Sequence, residues 1–272
     1  MTLFVSDMDG TLLDDRSRVS ATSAALLREA VAGGALFTVA TARTHATAVP
    51  LLSDVPLRLP VIVMAGAAMY DTATRRFSNV SAFAGDDLAQ LYELYRRHSV
   101  NPLVYRLRDN LLHVHHCGAL TPAETTFINE RLDTVKRFHL NDNDYESTDG
   151  DTLILYSMDN YDRLTALHRA LDESGLCRAF LSRDLFDNEL GELEVYALAT
   201  SKAAAIARLA QMTGAARTVV YGDNLNDIDM MRKADVAIAV ENALPEVKAV
   251  ATRIIGPNTD DSVAKSILSF IQ

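Results

Sequence analysis

Short apolar runs recur near both ends of this 272-residue sequence, and each stops at a loop-forming segment. Such runs are typical of buried strands that end in a loop. Between the first two runs, residues 20–31 carry apolar side chains at helical spacing, and Gly33 and Gly34 favour the end of that helix. Strands that alternate with helices predict an α/β fold with a parallel sheet. The runs are 3–6, 35–40, 61–64, 218–221 and 236–240.

The middle of the sequence, residues 82–197, has a different pattern. Segments 103–108 and 111–116 flank Asp109 and Asn110, a pair that favours a hairpin turn. Segments 180–183 and 193–196 are also expected to pair, and helical spacing occurs at 88–97 and 164–174. This mixture predicts an α+β domain inserted into the α/β domain. We therefore expect an outer domain formed by residues 1–81 and 198–272, and an inserted domain formed by residues 82–197.

Composition and charge restrict the partners of the chain. The net charge of −10 provides no attraction to nucleic acid or to anionic lipid, so neither partner is expected. No run approaches the roughly 18 apolar residues of a membrane span, and the first residues lack the basic stretch of a signal peptide. Two cysteines do not form a disulfide framework. These features predict a cytoplasmic protein, and we expect a monomer or a dimer.

The first apolar run leads directly into Asp7-Met8-Asp9-Gly10-Thr11. Residues two apart at a strand end project to the same side, so the two carboxylates can flank one ligand atom. A divalent cation would allow such a pair to approach a phosphoryl group, because it takes hard oxygen ligands. One carboxylate can then attack phosphorus while the other transfers protons. An Asp-Gly turn in solvent has the same sequence, so the pentapeptide alone leaves both interpretations open.

Three further features lie near other predicted strand ends or helix starts. Asp223 and Asp227 are four residues apart, a spacing that suits a cation or an acidic helix start. Lys202 lies in the first turn of a predicted helix, where its charge opposes the helix dipole unless an anion is present. Thr41 has a hydroxyl that can donate to a phosphate oxygen or belong to an ordinary strand. Open parallel sheets bind ligands beyond the carboxyl ends of their strands.

In their order along the chain, these features resemble the four motifs of the haloacid dehalogenase-like hydrolase superfamily. Asp-Met-Asp-Gly-Thr resembles the first motif, Thr41 the second, Lys202 the third, and Asp223 with Asp227 the fourth. The position of the insert, between the second and third motifs, resembles the Cof-like phosphatase subfamily with a type IIB cap. The resemblance implies a Rossmann-like catalytic core with an inserted α+β cap that sets substrate specificity.

The resemblance also implies a reaction and a set of site residues. The expected function is Mg²⁺-dependent hydrolysis of a small phosphorylated metabolite, such as a sugar phosphate, through an aspartyl phosphate. Asp7 is the implied nucleophile and Asp9 the general acid and base, while Thr41 and Lys202 hold the transferring phosphoryl group. The implied phosphate-binding residues are Gly10, Thr41, Ala42, Arg43, Lys202 and Asn226. The implied Mg²⁺ ligands are Asp7, the Asp9 main-chain carbonyl and Asp223, with Asp227 in or near the outer shell.

The sequence departs from the subfamily pattern at several positions, and Ala42, Ala199 and Ala203 replace glycines that are usual there. The subfamily has Asn-Gly-Ala after its third strand, whereas this chain has Ala65-Gly66-Ala67. A polar contact is therefore lost or replaced, and we expect this change to alter substrate preference.

Two other functions remain open at the level of sequence. A phosphomutase or phosphotransferase would use the same aspartyl phosphate, and its cap would need arginines that converge on a second phosphate. The insert offers Arg106, Arg108, Arg178 and Arg183, which equally suit a solvated surface. A non-catalytic sensor of a phosphorylated ligand is the second alternative, although a pure binder has no need for a nucleophile beside an acid.

A histidine cluster in the insert suggests a metal site at first sight. His113 and His115 would lie on one face of a strand and His116 on the other. Two histidines at that spacing can bind zinc, but the nearby sequence shows no third ligand. We therefore expect a cap strand without a metal, whose histidines would contact substrate if the strand faces the active site.

Overall fold

The computed structural model describes residues 1–132, 134, 136–142, 145–184 and 187–272. Contacts within the chain divide it into two compact units: Met1–Asn79 with Ser201–Gln272, here called the core unit, and Val80–Thr200, here called the inserted unit. The assignment of separate roles to the two predicted domains stays a prediction. Among the helices of the described ranges, none is long and apolar enough to cross a membrane.

The secondary structure follows the chain through both units. The first segment contains β1 (Thr2–Ser6), α1 (Ala21–Ala32), β2 (Leu36–Val39), α2 (His45–Ala48), β3 (Val61–Val63), β4 (Ala68–Asp71) and β5 (Arg76–Ser78). The inserted unit contains α3 (Gly85–Arg97), β6 (Leu103–Arg108), β7 (Leu111–His116), α4 (Pro122–Asn129), β8 (Arg137–Leu140), β9 (Asp151–Asn160), α5 (Tyr161–Ser174), β10 (Cys177–Arg183) and β11 (Leu190–Ala197). The last segment contains α6 (Lys202–Thr213), β12 (Arg217–Gly222), α7 (Ile228–Lys233), β13 (Val236–Ala239), α8 (Pro245–Val250), β14 (Arg253–Ile254) and α9 (Ser262–Ser269).

A five-stranded parallel sheet organises the core unit, in the order β14-β13-β12-β1-β2. Strand β1 lies inside it, and its last four residues are buried, as expected for an apolar strand covered on both faces. Ser20 and Ser201 begin α1 and α6 by accepting main-chain hydrogen bonds, from Ser23 and Ala204. The predicted α/β fold is confirmed.

The third apolar run forms a strand, but not one of this parallel sheet. β3 belongs to a three-stranded antiparallel sheet with β4 and β5, and meets the end of β2 through a single parallel bridge between Ala40 and Ile62. The backbone after β3 explains its pairing with β4, since Met64, Ala65 and Gly66 have φ values of 52°, 53° and 99°. These left-handed conformations turn the chain back into β4.

A six-stranded sheet, in the order β10-β11-β9-β6-β7-β8, forms the inserted unit. The predicted hairpin is confirmed: β6 and β7 are antiparallel, and Asp109 and Asn110 at the turn have φ values of 52° and 61°. The predicted pairing of segments 180–183 and 193–196 is also confirmed, within the antiparallel β10–β11 pair. Helices α3 and α5 cover the face that carries Val104, Leu155 and Val195.

The sequence near His113 and His115 shows no third ligand, but the structure brings a third histidine beside them. Strand β8 pairs in parallel with β7 and places His139 directly beside His115. One nitrogen each of His113, His115 and His139 lies within 4.8 Å of the others. His116 lies on the opposite face of the strand, with Nε2 4.0 Å from the Glu124 carboxylate. The local sequence does not reveal the third histidine, because His139 is 24 residues beyond His115 and reaches the cluster through the pairing of β8 with β7.

Packing of α5 on the sheet generates a test of the inserted unit's core. Leu167 is fully buried among leucines, tyrosines and valines of α3, α5 and the sheet. We expect Leu167→Ala to lower the free energy of unfolding by about 2–5 kcal/mol, because the cavity does not close completely. Leu198→Ala, at a position with 59% exposure in the same unit, should change it little. Urea denaturation of both variants tests this, and equal losses would contradict the packing described.

Candidate functional site

Two adjacent strands of the parallel sheet end at aspartates. Asp7 follows β1 directly and Asp223 follows β12, and the two strands pair along their length. The Asp7 main-chain N–H donates to the Tyr221 carbonyl at 2.9 Å, so the pairing continues to the first residue of the motif. The carboxyl ends of parallel strands lie at the same sheet edge. This is the edge at which sheets of this type bind ligands.

A buried lysine joins this edge to the helix beyond it. Lys202 is the first residue of α6, and its Nζ donates to Asp7 Oδ1 at 2.5 Å and to Asp227 Oδ1 at 2.8 Å. Lys202 is 3% exposed and Asp227 is fully buried. A buried charge is costly unless it is paired, so one ammonium between two carboxylates satisfies all three groups.

The electrostatics of the cluster follow from this burial. Burial raises the pKa of Asp7 well above its usual range, while the Lys202 ammonium opposes the rise. For Lys202, burial by itself lowers the pKa, but Asp227 and Asp7 outweigh it and raise the pKa above its usual range. The lysine therefore stays cationic. Burial also raises the pKa of Asp223 to about 6, although a hydrogen bond from Thr11 opposes the shift.

Asp227 acts mainly as a positioning residue within the cluster. Its Oδ2 accepts hydrogen bonds from the main-chain N–H groups of Asp223 at 3.0 Å and Asn224 at 3.1 Å, and its Oδ1 accepts from Lys202. A side chain at Gly222 would place Cβ 2.7 Å from Asp227 Cβ, so this close approach requires glycine. Both Asp227 oxygens thus bind protein donors.

The remaining carboxylates offer oxygen donors to a cation. Ligand oxygens of Asp7, Asp223 and Asp227 all lie within 4.8 Å of one another. Asp7 and Asp223 each use Oδ1 for a hydrogen bond, from Lys202 and Thr11 respectively, and their second oxygens are suited to ligation. Such an all-oxygen donor set fits a hard divalent cation.

Gly10 fits tightly against Asp223. It has a φ of 72°, and an added Cβ would lie 2.5 Å from Asp223 Oδ2, so both its conformation and its surroundings favour glycine. Thr11 Oγ1 donates to Asp223 Oδ1 at 2.7 Å, and Asn242 Nδ2 donates to the Gly10 carbonyl at 2.7 Å. Sequence reasoning assigned no role to Thr11 or Asn242. The signal for Thr11 was present, since it belongs to the pentapeptide that carried the family resemblance.

Asp9 and Arg43 form a separate pair beside the cluster. Arg43 Nε and Nη2 donate to the two Asp9 oxygens, each at 2.7 Å, and the Asp9 side chain is 49% exposed. Arg43 thus holds the Asp9 carboxylate outside the cluster that Asp7, Asp223 and Asp227 form. Thr41 is buried, and its Oγ1 accepts the Arg43 main-chain N–H at 3.1 Å.

The 64–66 segment links the Thr41 loop to the start of α6. Met64 N–H donates to the Arg43 carbonyl and Ala65 N–H to the Thr41 carbonyl, both at 2.9 Å. An added Cβ at Gly66 would lie 2.5 Å from the Ser201 carbonyl carbon. Ala65 has a left-handed conformation, which asparagine tolerates better than alanine. The departure at this position therefore removes an amide and adds backbone strain, while the main-chain contacts persist.

The last two predicted phosphate-binding residues differ in their exposure. Ala42 is partly buried between Thr41 and Arg43, and Asn226 is exposed in the turn that precedes α7. The four arginines considered for a second phosphate have separate partners. Arg106 donates to the Tyr145 carbonyl and Arg108 pairs with Asp149, while Arg178 lies over the Phe180 ring and Arg183 over the Tyr161 ring. These partners give no support to a shared second phosphate site.

Comparison with known proteins gives concordant matches over the whole chain. A family model described as haloacid dehalogenase-like hydrolase matches residues 4–267. The pyridoxal phosphate phosphatase of Escherichia coli (strain K12) is 25% identical over 271 residues, covering 97% of both chains. A 5-amino-6-(5-phospho-D-ribitylamino)uracil phosphatase of Bacillus subtilis (strain 168) is 26% identical, covering 99% of this chain and 95% of the relative.

Solved structures have the same fold. The subclass IIB sugar phosphatase BT4131 superimposes with a TM-score of 0.76 over the full length of both chains, at 19% identity. At this level of identity the match establishes the fold alone.

The Lys202 pairing predicts a large and pH-dependent effect on stability. Lys202→Met leaves buried carboxylates without their cation, so we expect the free energy of unfolding at neutral pH to fall by about 3–5 kcal/mol. The loss should shrink as the pH falls, since a carboxyl whose folded pKa is raised by burial favours the folded state once it is protonated.

Urea denaturation at neutral and acidic pH tests this prediction. Lys233→Met is the matched control, because Lys233 pairs with Asp229 on the surface and should contribute little. Similar losses for the two variants, or a loss at Lys202 that does not depend on pH, would contradict the role assigned to the buried pair.

Proposed function

This chain belongs to the haloacid dehalogenase-like hydrolase family, and we propose that it is a phosphatase that acts on a small phosphorylated metabolite through an aspartyl phosphate on Asp7. The observation that carries the proposal is the buried Lys202 ammonium, which holds Asp7 at the sheet edge among clustered carboxylates. A carboxylate held beside a cation suits attack on a phosphoryl group, because the cation offsets repulsion between the two anions.

The proposed reaction consists of two successive displacements at phosphorus. Asp7 attacks phosphorus, so the Asp7–phosphorus bond forms while the bond from phosphorus to the leaving oxygen breaks. Asp9 donates a proton to that oxygen and later takes a proton from the water that hydrolyses the aspartyl phosphate. Lys202 and Thr41 neutralise and position the transferring phosphoryl group. The second displacement restores Asp7 and releases inorganic phosphate.

Arg43 has two tasks in this scheme. It holds the Asp9 carboxylate with two hydrogen bonds, which fixes the acid beside the end of β1. It is also the predicted phosphate-binding cation of the Thr41 loop. A phosphate monoester would compete with Asp9 for the guanidinium, and this exchange would free Asp9 for proton transfer when substrate is present.

A divalent cation, which we take to be Mg²⁺, completes the proposed site. The carboxylates of Asp7 and Asp223 and the Asp9 main-chain carbonyl would hold it, and it would supply charge neutralisation for the phosphoryl group. Asp227, predicted to lie in or near the ligand shell, supports the site by holding Lys202 and the main chain of residues 223–224.

The substrate class rests on the relatives. Those described above are named for pyridoxal phosphate, for a phosphorylated ribitylaminouracil and for sugar phosphates. All three are small phosphate monoesters, so we propose a substrate of that class. With alanine at position 65, the segment beside Thr41 lacks a side-chain amide. We propose that this lack narrows or shifts the preference of the protein among phosphate monoesters.

Phosphate release from a panel of monoesters tests the reaction class. The panel contains pyridoxal phosphate, flavin mononucleotide, nucleotides and sugar phosphates, each with Mg²⁺ and with EDTA. We expect turnover on at least one compound, lost with EDTA and restored by added Mg²⁺. Folded protein that releases no phosphate from any compound with Mg²⁺ present would favour the phosphomutase or the sensor instead.

Replacement of the nucleophile tests the aspartyl phosphate. We expect Asp7→Asn to lower phosphate release by at least about 10³-fold, because an amide cannot form the covalent intermediate. Asp54→Asn is the same chemical change at an exposed position of the core unit and should leave the rate unchanged. Retention of most activity in folded Asp7→Asn protein would exclude Asp7 as the nucleophile.

A further inference from the structure

Three histidines meet on one face of the inserted unit's sheet. His113 and His115 are two residues apart on β7, and His139 on β8 pairs directly with His115. One nitrogen from each ring lies within 4.8 Å of the others. The ring centroids of His115 and His139 are 4.6 Å apart, and those of His113 and His139 are 5.1 Å apart. This arrangement concentrates imidazole nitrogens in a small volume.

A carboxylate orients one of the three rings. Asp142 Oδ2 lies 2.5 Å from His115 Nδ1, so Nε2 is the nitrogen that remains for a ligand. Histidines that bind metals commonly use their other ring nitrogen in this way, which fixes the orientation of the ring and makes it more basic. His113 Nδ1 and His139 Nε2 lie 2.8 Å apart and share a hydrogen bond.

The protonation state also suits ligation. Burial lowers the pKa of His113, and nearby Arg108 and His139 lower it further. Burial lowers the pKa of His115 as well, and the hydrogen bond with Asp142 only partly offsets this. Both shifts favour the neutral ring, the form in which imidazole binds metals.

We propose that His113, His115 and His139 bind a divalent transition-metal ion, with Zn²⁺ as the occupant, and that Asp142 is the positioning residue for His115. Three imidazoles with one position for water form a known type of zinc site. Tetrahedral ligands about 2.0–2.1 Å from zinc are about 3.3 Å from each other. The hydrogen-bonded nitrogens of His113 and His139 therefore need to separate by about half an ångström, in place of the proton they share. The three rings are stacked with interplanar angles of 11–23°, so metal binding also requires them to rotate until their lone pairs converge on the ion.

The donor atoms select the kind of ion. The three candidate ligand atoms are imidazole nitrogens. Mg²⁺ and Ca²⁺ take oxygen ligands, so this set does not suit them. Imidazole forms directed bonds with Zn²⁺, Ni²⁺ and Cu²⁺, which prefer nitrogen ligands. The site therefore differs in chemistry from the all-oxygen cluster of the core unit.

Bound zinc would cross-link an edge strand. β8 has four residues, and within the part of the chain that the structure describes its strand partner is β7, at the edge of the sheet. The histidines lie on the face covered by α3 and α5, because His115 pairs with Val104, which belongs to the apolar cluster beneath those helices. The ion would thus fix β8 to β7 within the inserted unit.

Metal titration of the full chain tests the proposal. Protein stripped with chelator is prepared with Asp223→Asn, to weaken the carboxylate cluster, and is kept in excess Mg²⁺. Zn²⁺ affinity is measured by competition with a chromophoric chelator, and Co²⁺ serves as the spectroscopic probe of tetrahedral nitrogen ligation. We expect one equivalent of Zn²⁺ per chain, a visible Co²⁺ spectrum, and a higher unfolding temperature when Zn²⁺ is bound.

Single substitutions added to this protein assign the ligands. We expect His139→Asn to weaken Zn²⁺ binding at least about 100-fold and to abolish the rise in unfolding temperature. Asp142→Asn keeps all three histidines, and we expect it to weaken binding by about 10–100-fold. His168→Asn, on α5 of the same unit, should bind as tightly as the parent. Absence of binding by the parent, or binding by the His139→Asn variant as tight as that of the parent, would overturn the proposal and leave a hydrogen-bonded histidine cluster.

Discussion

The buried contact of Lys202 with Asp7 and Asp227 is the interaction on which the core unit depends. It joins the end of β1, the start of α6 and the turn after β12, three segments that are remote in sequence. Each of these charges is costly to bury without the others. The arrangement is therefore stable only when the sheet edge and the helix start are both in place, and its stability is coupled to the orientation of Asp7.

Close backbone approach makes this contact geometrically feasible. Gly10 lies against Asp223, Gly222 against Asp227, and Gly66 against the main chain of Ser201. In each case a methyl group would displace a carboxylate or the start of α6. Met64 and Ala65 have left-handed conformations, which are strained. These conformations allow the segment to hydrogen-bond with the Thr41 loop and to lie beside the start of the helix that carries Lys202. The strain is thus located where it positions predicted phosphate-binding groups.

The two units offer different donor chemistry to metal ions. The core unit gathers carboxylate oxygens around a lysine, an environment that suits a hard cation and an anionic substrate. The inserted unit gathers three imidazoles beside one carboxylate, an environment that suits a nitrogen-preferring ion. Hydrolysis at the first site does not require the second, so zinc in the inserted unit would be a structural element added to the proposed phosphatase.

The sequence by itself determined the α/β class, the inserted α+β segment, the hairpin at Asp109–Asn110 and the family. These features depend on local pattern: apolar periodicity, turn residues and motif residues that follow strands directly. Only the tertiary structure decided that β3 leaves the parallel sheet, that Asp227 holds Lys202 and the main chain, that Arg43 binds Asp9, and that His139 joins His113 and His115. Each of these depends on contacts between distant parts of the chain, on backbone conformation, or on both. The alternation of apolar and polar residues contains no information about which distant carboxylate, guanidinium or imidazole will complete a site.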